Sequence, residues 1–277
     1  MGLRINTNLA SMVANRAISH SAEDQTKSYQ RLSSGQRITQ AGDDAAGLSI
    51  SENLRSQIRS LGQAERNAND GISFAQVAEG GLSEVGNIMI RLRELGVQAA
   101  SDTIGDKERG FIDQEGQSLL KEIDRIANTT EFDGTPLLNG QAKKSVLQIQ
   151  VGIRNNDADR ISFNTKESDV RASTLGVDGV NFSSIDNARD SLDKLDDGIG
   201  QVSAARARLG ATQNKMHSVI NSIGINKENL SAARSRIADT DIATETSELV
   251  RGNILQAAGI AVLAQANQAP QQALKLL

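Results

Sequence analysis

Ala188, Leu195, Val202, Leu209, Met216, Ile223, Leu230 and Ile237 recur at every seventh residue. A second column runs beside them: Ile185, Leu192, Ile199 and Ile220 are apolar, with Arg206 and Gln213 as polar interruptions. Two apolar positions per heptad make the narrow seam of a coiled coil rather than the broad face of a globular helix. At ~1.5 Å per residue, a helix over 185–237 would be roughly 80 Å long, against a radius of gyration of about 19 Å for a compact chain of this length. The pattern predicts an elongated molecule with a long helical surface. Polar residues within such a seam set register or contact a second subunit, and Arg206 and Gln213 fit either role.

A second stripe has nearly the same period: Leu54, Ile58, Leu61, Ala68, Ile72, Ala75, Leu82, Val85, Met89, Leu92 and Leu95. Packed against the first, it would form a seam of Leu54, Ile58 and Leu61 with Leu195, Val202, Leu209, Met216, Ile223 and Leu230. Leu3, Ile5, Leu9, Met12, Val13 and Ile18 give a helical N-terminus, and Arg31 to Gly47 reads as a turn or loosely helical hinge. Ser101 to Asp106 breaks the second stripe, and a shorter helix follows through Phe111, Ile112, Leu119, Ile123 and Ile126. Phe132 to Pro136 holds Asp-Gly-Thr-Pro, which is turn chemistry. The period then drops to two. Leu147, Ile149 and Val151, then Ile161 and Phe163, flank Asn155-Asn156-Asp157 and predict a β-hairpin. Ser183, with Asp186 three residues on, is an N-cap signal for the long helix. Beyond Ile237 the strict heptad fails, and a shifted stripe replaces it: Ile242, Leu249, Ile254, Leu255, Val262 and Leu263. Gly252 and Gly259 are expected to weaken that segment. The fold class is mainly α: an elongated antiparallel helical bundle or coiled coil with a small β-hairpin, its two ends free to pair.

Composition narrows the function. Aromatic residues make up 2% of the 277 positions, so small and medium aliphatic side chains must do the packing. The 24 glycines leave the helices marginal without neighbours, while only two prolines interrupt them. A net charge of −4 without a basic stripe gives no footprint for nucleic acid. Met1 to Ser21 has no apolar h-region, which argues against a cleaved secretory signal, and no uninterrupted apolar run approaches the ~18 residues of a membrane span. The absence of Cys excludes thiol chemistry and disulfides. His20 and His217 lie outside any His-Glu-x-x-His zinc motif, and each is followed by Ser. Gly80-Gly81 lacks the strand and Lys of a phosphate loop. Asn155 to Asp159 lacks the Gly and Glu of a calcium loop, and Asp43-Asp44 has no partner base. No enzyme, metal or cofactor is indicated. The sequons at Asn128, Asn181 and Asn229 are short, common motifs.

The ends of the chain carry a family signature. Ile5-Asn6-Thr7-Asn8, Arg31-Leu32-Ser33-Ser34-Gly35, Ala41-Gly42-Asp43-Asp44-Ala45-Ala46-Gly47-Leu48 and Asn67-Ala68-Asn69-Asp70-Gly71-Ile72-Ser73 resemble the N-terminal region of bacterial flagellins. Leu255-Gln256-Ala257-Ala258-Gly259 and Val262 to Gln268 resemble the C-terminal region. The match runs in order over roughly residues 1–140 and 185–277.

The resemblance implies a structural subunit that polymerises through its terminal helices into the extracellular flagellar filament. It implies an inner coiled-coil domain from residues 1–43 and 235–277, with Leu3, Ile5, Leu9, Val13, Ile242, Leu249, Leu255, Val262 and Leu263 as assembly residues. A helical rod domain would occupy 44–234, with its hairpin at about 141–182 and no room for a large outer domain. Expected partners are further copies of the chain, a flagellar export chaperone and the type III export apparatus, the filament cap and the hook-junction proteins. Arg91-Leu92-Arg93-Glu94-Leu95 with Glu115 also matches the contact motif for the flagellin-sensing Toll-like receptor, through Arg91, Leu95 and Glu115. Ile90 and Gly96 depart from the residues usual beside it. The alternatives are a hook–filament junction protein, which shares the terminal signatures; a flagellin-like metalloprotease, for which there is neither motif nor room; and a generic coiled-coil adaptor, which would not explain the paired signatures. Marginal terminal helices imply ends, residues 1–40 and 240–277, that are largely disordered in the monomer and order on assembly.

Overall fold

The computed structural model describes residues 7–142 and 144–274, with the side chains of 269–274 excepted. Its helices are α1 (Leu9–Ser34), α2 (Ala45–Ala99), α3 (Asp106–Thr129), the single-turn α4 (Ala172–Leu175), α5 (Ile185–Ala238) and α6 (Ile242–Leu274). Two antiparallel strand pairs sit between α3 and α5: β1 (Glu131–Phe132) with β2 (Thr135–Pro136), and β3 (Val146–Gln150) with β4 (Arg160–Asn164). The mainly α class with a small hairpin is as the periodicity requires. The chain divides into two compact units, Arg59–Lys227 and Met1–Ile58 with Glu228–Leu277.

The central unit, Arg59–Lys227, holds the apolar core. The α2 stripe contributes Leu82, Val85, Met89, Leu92 and Leu95, all at most 1% exposed. They share one cluster with Ile112, Ile123 and Ile126 of α3 and Ala188, Leu195, Val202 and Leu209 of α5. Met216 joins Ala68 and Ile72 in a second cluster under the hairpin residues Val151 and Ile161. The heptad column is therefore the buried edge of α5, and the second column, Ile185, Leu192 and Ile199, is half-buried beside it. Glycines let neighbours approach closely. A Cβ at Gly116 would lie 2.7 Å from the Phe182 ring, and one at Gly198 would lie 2.5 Å from Met89 Cε. Phe182 is fully buried and takes the role larger cores give to several rings.

The expected hairpin forms, with Leu147 opposite Phe163 and Ile149 opposite Ile161. Asn67 of α2 donates its amide to the Gln150 carbonyl at 2.9 Å and ties the hairpin to the helix. Phe74 stacks edge-on with Phe163, ring centroids 4.8 Å apart. The Asp133-Gly134 turn between β1 and β2 has positive φ at both residues, 49° and 69°, as the tight two-residue connection demands.

Three local expectations change. Helix α1 runs on to Ser34 and ends at Gly35 in the left-handed conformation, so the hinge is confined to residues 35–44 rather than 31–47. The N-cap of α5 is Ser184, which accepts from the Asn187 N–H at 3.2 Å, while Ser183 is engaged by Asn181. Phe111 points outward at 72% exposure, one position round the helix from the buried Ile112.

Candidate assembly surface

In the terminal unit, α1 and α6 lie antiparallel. A Cβ at Gly259 would lie 2.9 Å from Ile18 Cγ1, and one at Gly252 would lie 3.0 Å from Gln25 Cγ. Ser21 Oγ donates to the Gly252 carbonyl at 3.2 Å, and Asn8 donates to the Ala266 carbonyl at 2.8 Å. The shielded positions of α1 include the series Ser11, Ala14, Ile18, Ser21, Gln25, Ser28 and Leu32, with Ala22 and Arg31 half-buried beside it. Those of α6 are Glu245, Leu249, Gly252, Gln256, Gly259, Leu263 and Ala266. Both series alternate spacings of three and four, the a and d positions of a coiled coil. The column of Ile237 ends there, since Thr244, Arg251 and Ala258 are exposed. A heptad displaced by one residue takes over on α6 through Glu245, Gly252, Gly259 and Ala266, mostly small and polar residues that a search for apolar periodicity passes over.

Apart from Ile18, Leu32, Leu249 and Leu263 in the seam, the large apolar side chains described on this pair point elsewhere. Leu9, Met12 and Val13 on α1, and Ile242, Val250, Ile254, Leu255, Ile260 and Val262 on α6, are each more than half exposed. Among the nine expected assembly residues, Leu9, Val13, Ile242, Leu255 and Val262 thus lie on the open faces. Leu249 and Leu263 are half-buried at the seam. Leu3 and Ile5 fall outside the described residues. Of the expected central seam, Leu61, Leu195, Val202, Leu209, Met216 and Ile223 are buried and Leu54, Ile58 and Leu230 half-buried.

Within Ile242–Gln268, an 18-residue window reaches a mean hydropathy of 1.2 with none of it buried, so by length and composition alone this helix could cross a membrane. The expectation of no such segment rested on uninterrupted runs. Here alanines raise the average between Asn253, Gln256 and Gln265, which break any continuous run.

The joint between α5 and α6 is made by residues far away in sequence. The Arg37 N–H donates to the Ala238 carbonyl at 2.7 Å, and its guanidinium donates to the Ile237 carbonyl at 2.9 Å. A cation on the last carbonyls of α5 also complements the helix dipole. The Thr240 N–H donates to the Gly35 carbonyl at 3.0 Å. Asp241 then caps α6 by accepting from the N–H groups of Ala243 and Thr244. Arg31 lies 3.7 Å from the buried Glu245 in the first turn of α6. Within the 35–44 loop, Asp43 accepts from the Thr39 N–H and hydroxyl and the Gln40 N–H. Those donors, led by the Thr39 N–H, hold its carboxyl below the usual range. Asp44 caps α2 by accepting from the Gly47 N–H at 2.8 Å. The acidic pair is thus structural.

In the central unit, Arg91 is exposed and forms ion pairs with Glu115 at 2.9 Å and Glu94 at 3.1 Å. Leu95, expected beside them as a surface contact, is instead 1% exposed because it belongs to the core stripe of α2. Arg206 and Gln213 both reach Glu79 of α2, at 3.8 and 3.1 Å, so the polar interruptions of the heptad meet a partner within this chain. Both histidines are exposed. Among the described residues, no group of three or more His, Asp or Glu is placed to hold a metal.

Comparison with known proteins fits this geometry. Residues 5–143 match the bacterial flagellin N-terminal helical region, and residues 192–277 match the bacterial flagellin C-terminal helical region. A flagellin of Halalkalibacterium halodurans is 42% identical over 273 residues, covering 99% of each chain. A flagellin of Bacillus subtilis is 42% identical over 306 residues, covering 99% of this chain and 100% of its own. The crystal structure of Bacillus cereus flagellin superimposes with a TM-score of 0.51 at 27% identity, over 57% of this chain and 88% of that one.

Proposed function

From the premise that this chain belongs to the bacterial flagellin family, we propose that it builds the flagellar filament by burying the open faces of α1 and α6 against the same helices of neighbouring copies. It is a structural subunit of that filament. The observation that carries the assembly mechanism is the inverted layout of the α1–α6 pair: mostly small and polar side chains in the seam, with Ile18, Leu32, Leu249 and Leu263 as exceptions, and nine larger apolar side chains on the outside. Each of those nine is 52–65% exposed, so covering it contributes about half of the ~1.5–3 kcal/mol of a full burial. The sum must exceed the cost of fixing each subunit in place, which many small contacts along a helix pair supply.

The inner polymerising domain is assigned to 1–43 with 235–277 and a second helical layer to 44–234. Both boundaries fall close to the irregular segments at 35–44 and 239–241. Before polymerisation the same apolar faces need cover, which suits an export chaperone on α6, passage through the export apparatus and addition beneath a cap outside the cell. The Arg91–Glu115 pair is the accessible part of the receptor-like motif.

Leu255→Asp tests the surface, because it places a charge on the open face of α6 without touching the α1 seam. Filaments are expected to be absent in electron micrographs of this variant, with monomer helicity unchanged. Normal filaments would remove Leu255 from the assembly surface.

A further inference from the structure

Among the described residues, the large apolar side chains shielded in the α1–α6 seam are Ile18, Leu32, Leu249 and Leu263, with small and polar residues between them, and the two helices meet in one register. We propose that Gly252 and Gly259 are register notches, with Gln25 and Ile18 as their knobs, and that this pair of notches fixes how the terminal helices align. Its consequence for the filament rests on the assembly reading above; the alignment itself does not.

Two independent observations meet at these positions. The first is steric. A methyl group at 259 would sit 2.9 Å from Ile18 Cγ1 and one at 252 would sit 3.0 Å from Gln25 Cγ, both inside comfortable contact. Neither neighbour atom is the free end of a flexible chain, so a methyl at 259 forces the Ile18 side chain or its helix to shift, and one at 252 forces Gln25 to give by a few tenths of an ångström. The second is polar. Gln25 is only 9% exposed, its Nε2 finds no hydrogen-bond partner among the described residues, and that nitrogen lies 3.5 Å from where a Gly252 Cβ would be. A buried polar residue at a seam position reduces stability and is retained where it specifies register.

The spacing makes the register unique. Ile18 and Gln25 are seven apart, and so are Gly252 and Gly259, bracketed by Glu245 on one side and Ala266 on the other. Slipping one heptad in one direction places Ile18 on Ala266. Slipping the other way places Gln25 on Glu245. Only the observed alignment puts both knobs on glycine, and it also brings Arg31 to Glu245. By the same antiparallel step, Ser28 faces Leu249.

The test uses the full-length chain and its lack of cysteine. Oxidation traps the α1–α6 pair each time it closes, so the ratio of two cross-links reads its register even where the pair is open for much of the time. Ser28→Cys with Leu249→Cys reports the observed register, and Ser28→Cys with Gln256→Cys reports a one-heptad slip. Mild oxidation should give the first cross-link in clear excess. Adding Gly252→Ala and Gly259→Ala should lower that excess at least about fivefold, a magnitude set by the usual strain of overpacking, although alanine is the better helix former. Gly224→Ala, where a methyl meets nothing within 4 Å, should leave it unchanged. Gln25→Leu should raise the share of the slipped cross-link. An unchanged excess after both glycine substitutions, or equal cross-linking in both registers in the parent, would overturn the proposal. If the glycine variants lose register but still form normal filaments, the notches stand and the assembly reading of the pair fails.

Discussion

Arg109 is the residue on which the α2–α3 corner depends. The residue is 3% exposed, and its guanidinium donates to the Ala99 carbonyl at 2.9 Å, the Ser101 carbonyl at 2.8 Å and the Asp106 carboxylate at 3.0 Å. The last carbonyls of α2 have no intrahelical donor, and Arg109 supplies one. Arg109→Ala should destabilise the central unit by about 1–3 kcal/mol, the cost of buried acceptors left unpaired. A lower urea midpoint at unchanged slope would show it. Arg109→Lys should recover only part, since an ammonium cannot fork to two carbonyls. Glu79 makes an instructive contrast. It receives both Arg206 and Gln213, yet its side chain is 38% exposed, so Glu79→Ala should change stability in the same titration by less than about 1 kcal/mol. Nothing in the sequence marked Arg109, because a buried arginine answers to carbonyls that have no sequence signature. Arg206 and Gln213 were visible because they interrupt a regular column.

At the scale of elements, legibility followed side-chain size. The α5 column was evident because its a positions are large and apolar, and burial of those positions is what a coiled coil needs. The α1–α6 seam obeys the same spacing with Ser, Gly, Gln and Ala, so the apolar stripe read on α6 was largely the outward face. The break between α5 and α6 was equally hidden: 238–242 reads Ala-Asp-Thr-Asp-Ile, with neither Gly nor Pro. Local information supplies only the Asp241 cap; Arg37 and Gly35 supply the rest from two hundred residues away. This joint should respond to acid. Hydrogen bonds from the Thr39 backbone and hydroxyl lower the pKa of Asp43, and those from Thr244 and Ala243 lower that of Asp241. A carboxyl whose folded pKa is depressed stabilises the fold above its unfolded pKa, and that contribution is lost as pH falls through the folded value. Below about pH 4, the reference range for Asp, both anchors should weaken together. Amide exchange at residues 37–44 and 241–246 should then rise, measured against neutral pH and corrected for intrinsic rates. Asp43→Asn with Asp241→Asn should flatten that response.

For the molecule as a whole, the decisive quantity is how unequally the core is distributed. Among the described residues, the buried apolar side chains of the terminal unit are Ala14, Ile38 and Ala238, whereas the central unit holds all the others. Burial of Leu, Ile and Phe side chains offsets the entropy of ordering the backbone at about 1–2 kcal/mol per residue. The central unit has the means to meet that cost alone, and the terminal unit does not. Its helices gain the missing contacts only when other copies cover Leu9, Val13, Ile254, Leu255 and Val262, so order and polymerisation should be one event. In the monomer, amide exchange across α1 and α6 should be at least about a hundredfold faster than across α3 and residues 82–95 of α2, the span expected when local opening lies a few kcal/mol below global unfolding. In filaments the difference should largely close. Equal protection of both units in the monomer would mean that the terminal pair is stable by itself, and the coupling of folding to assembly would have to be abandoned.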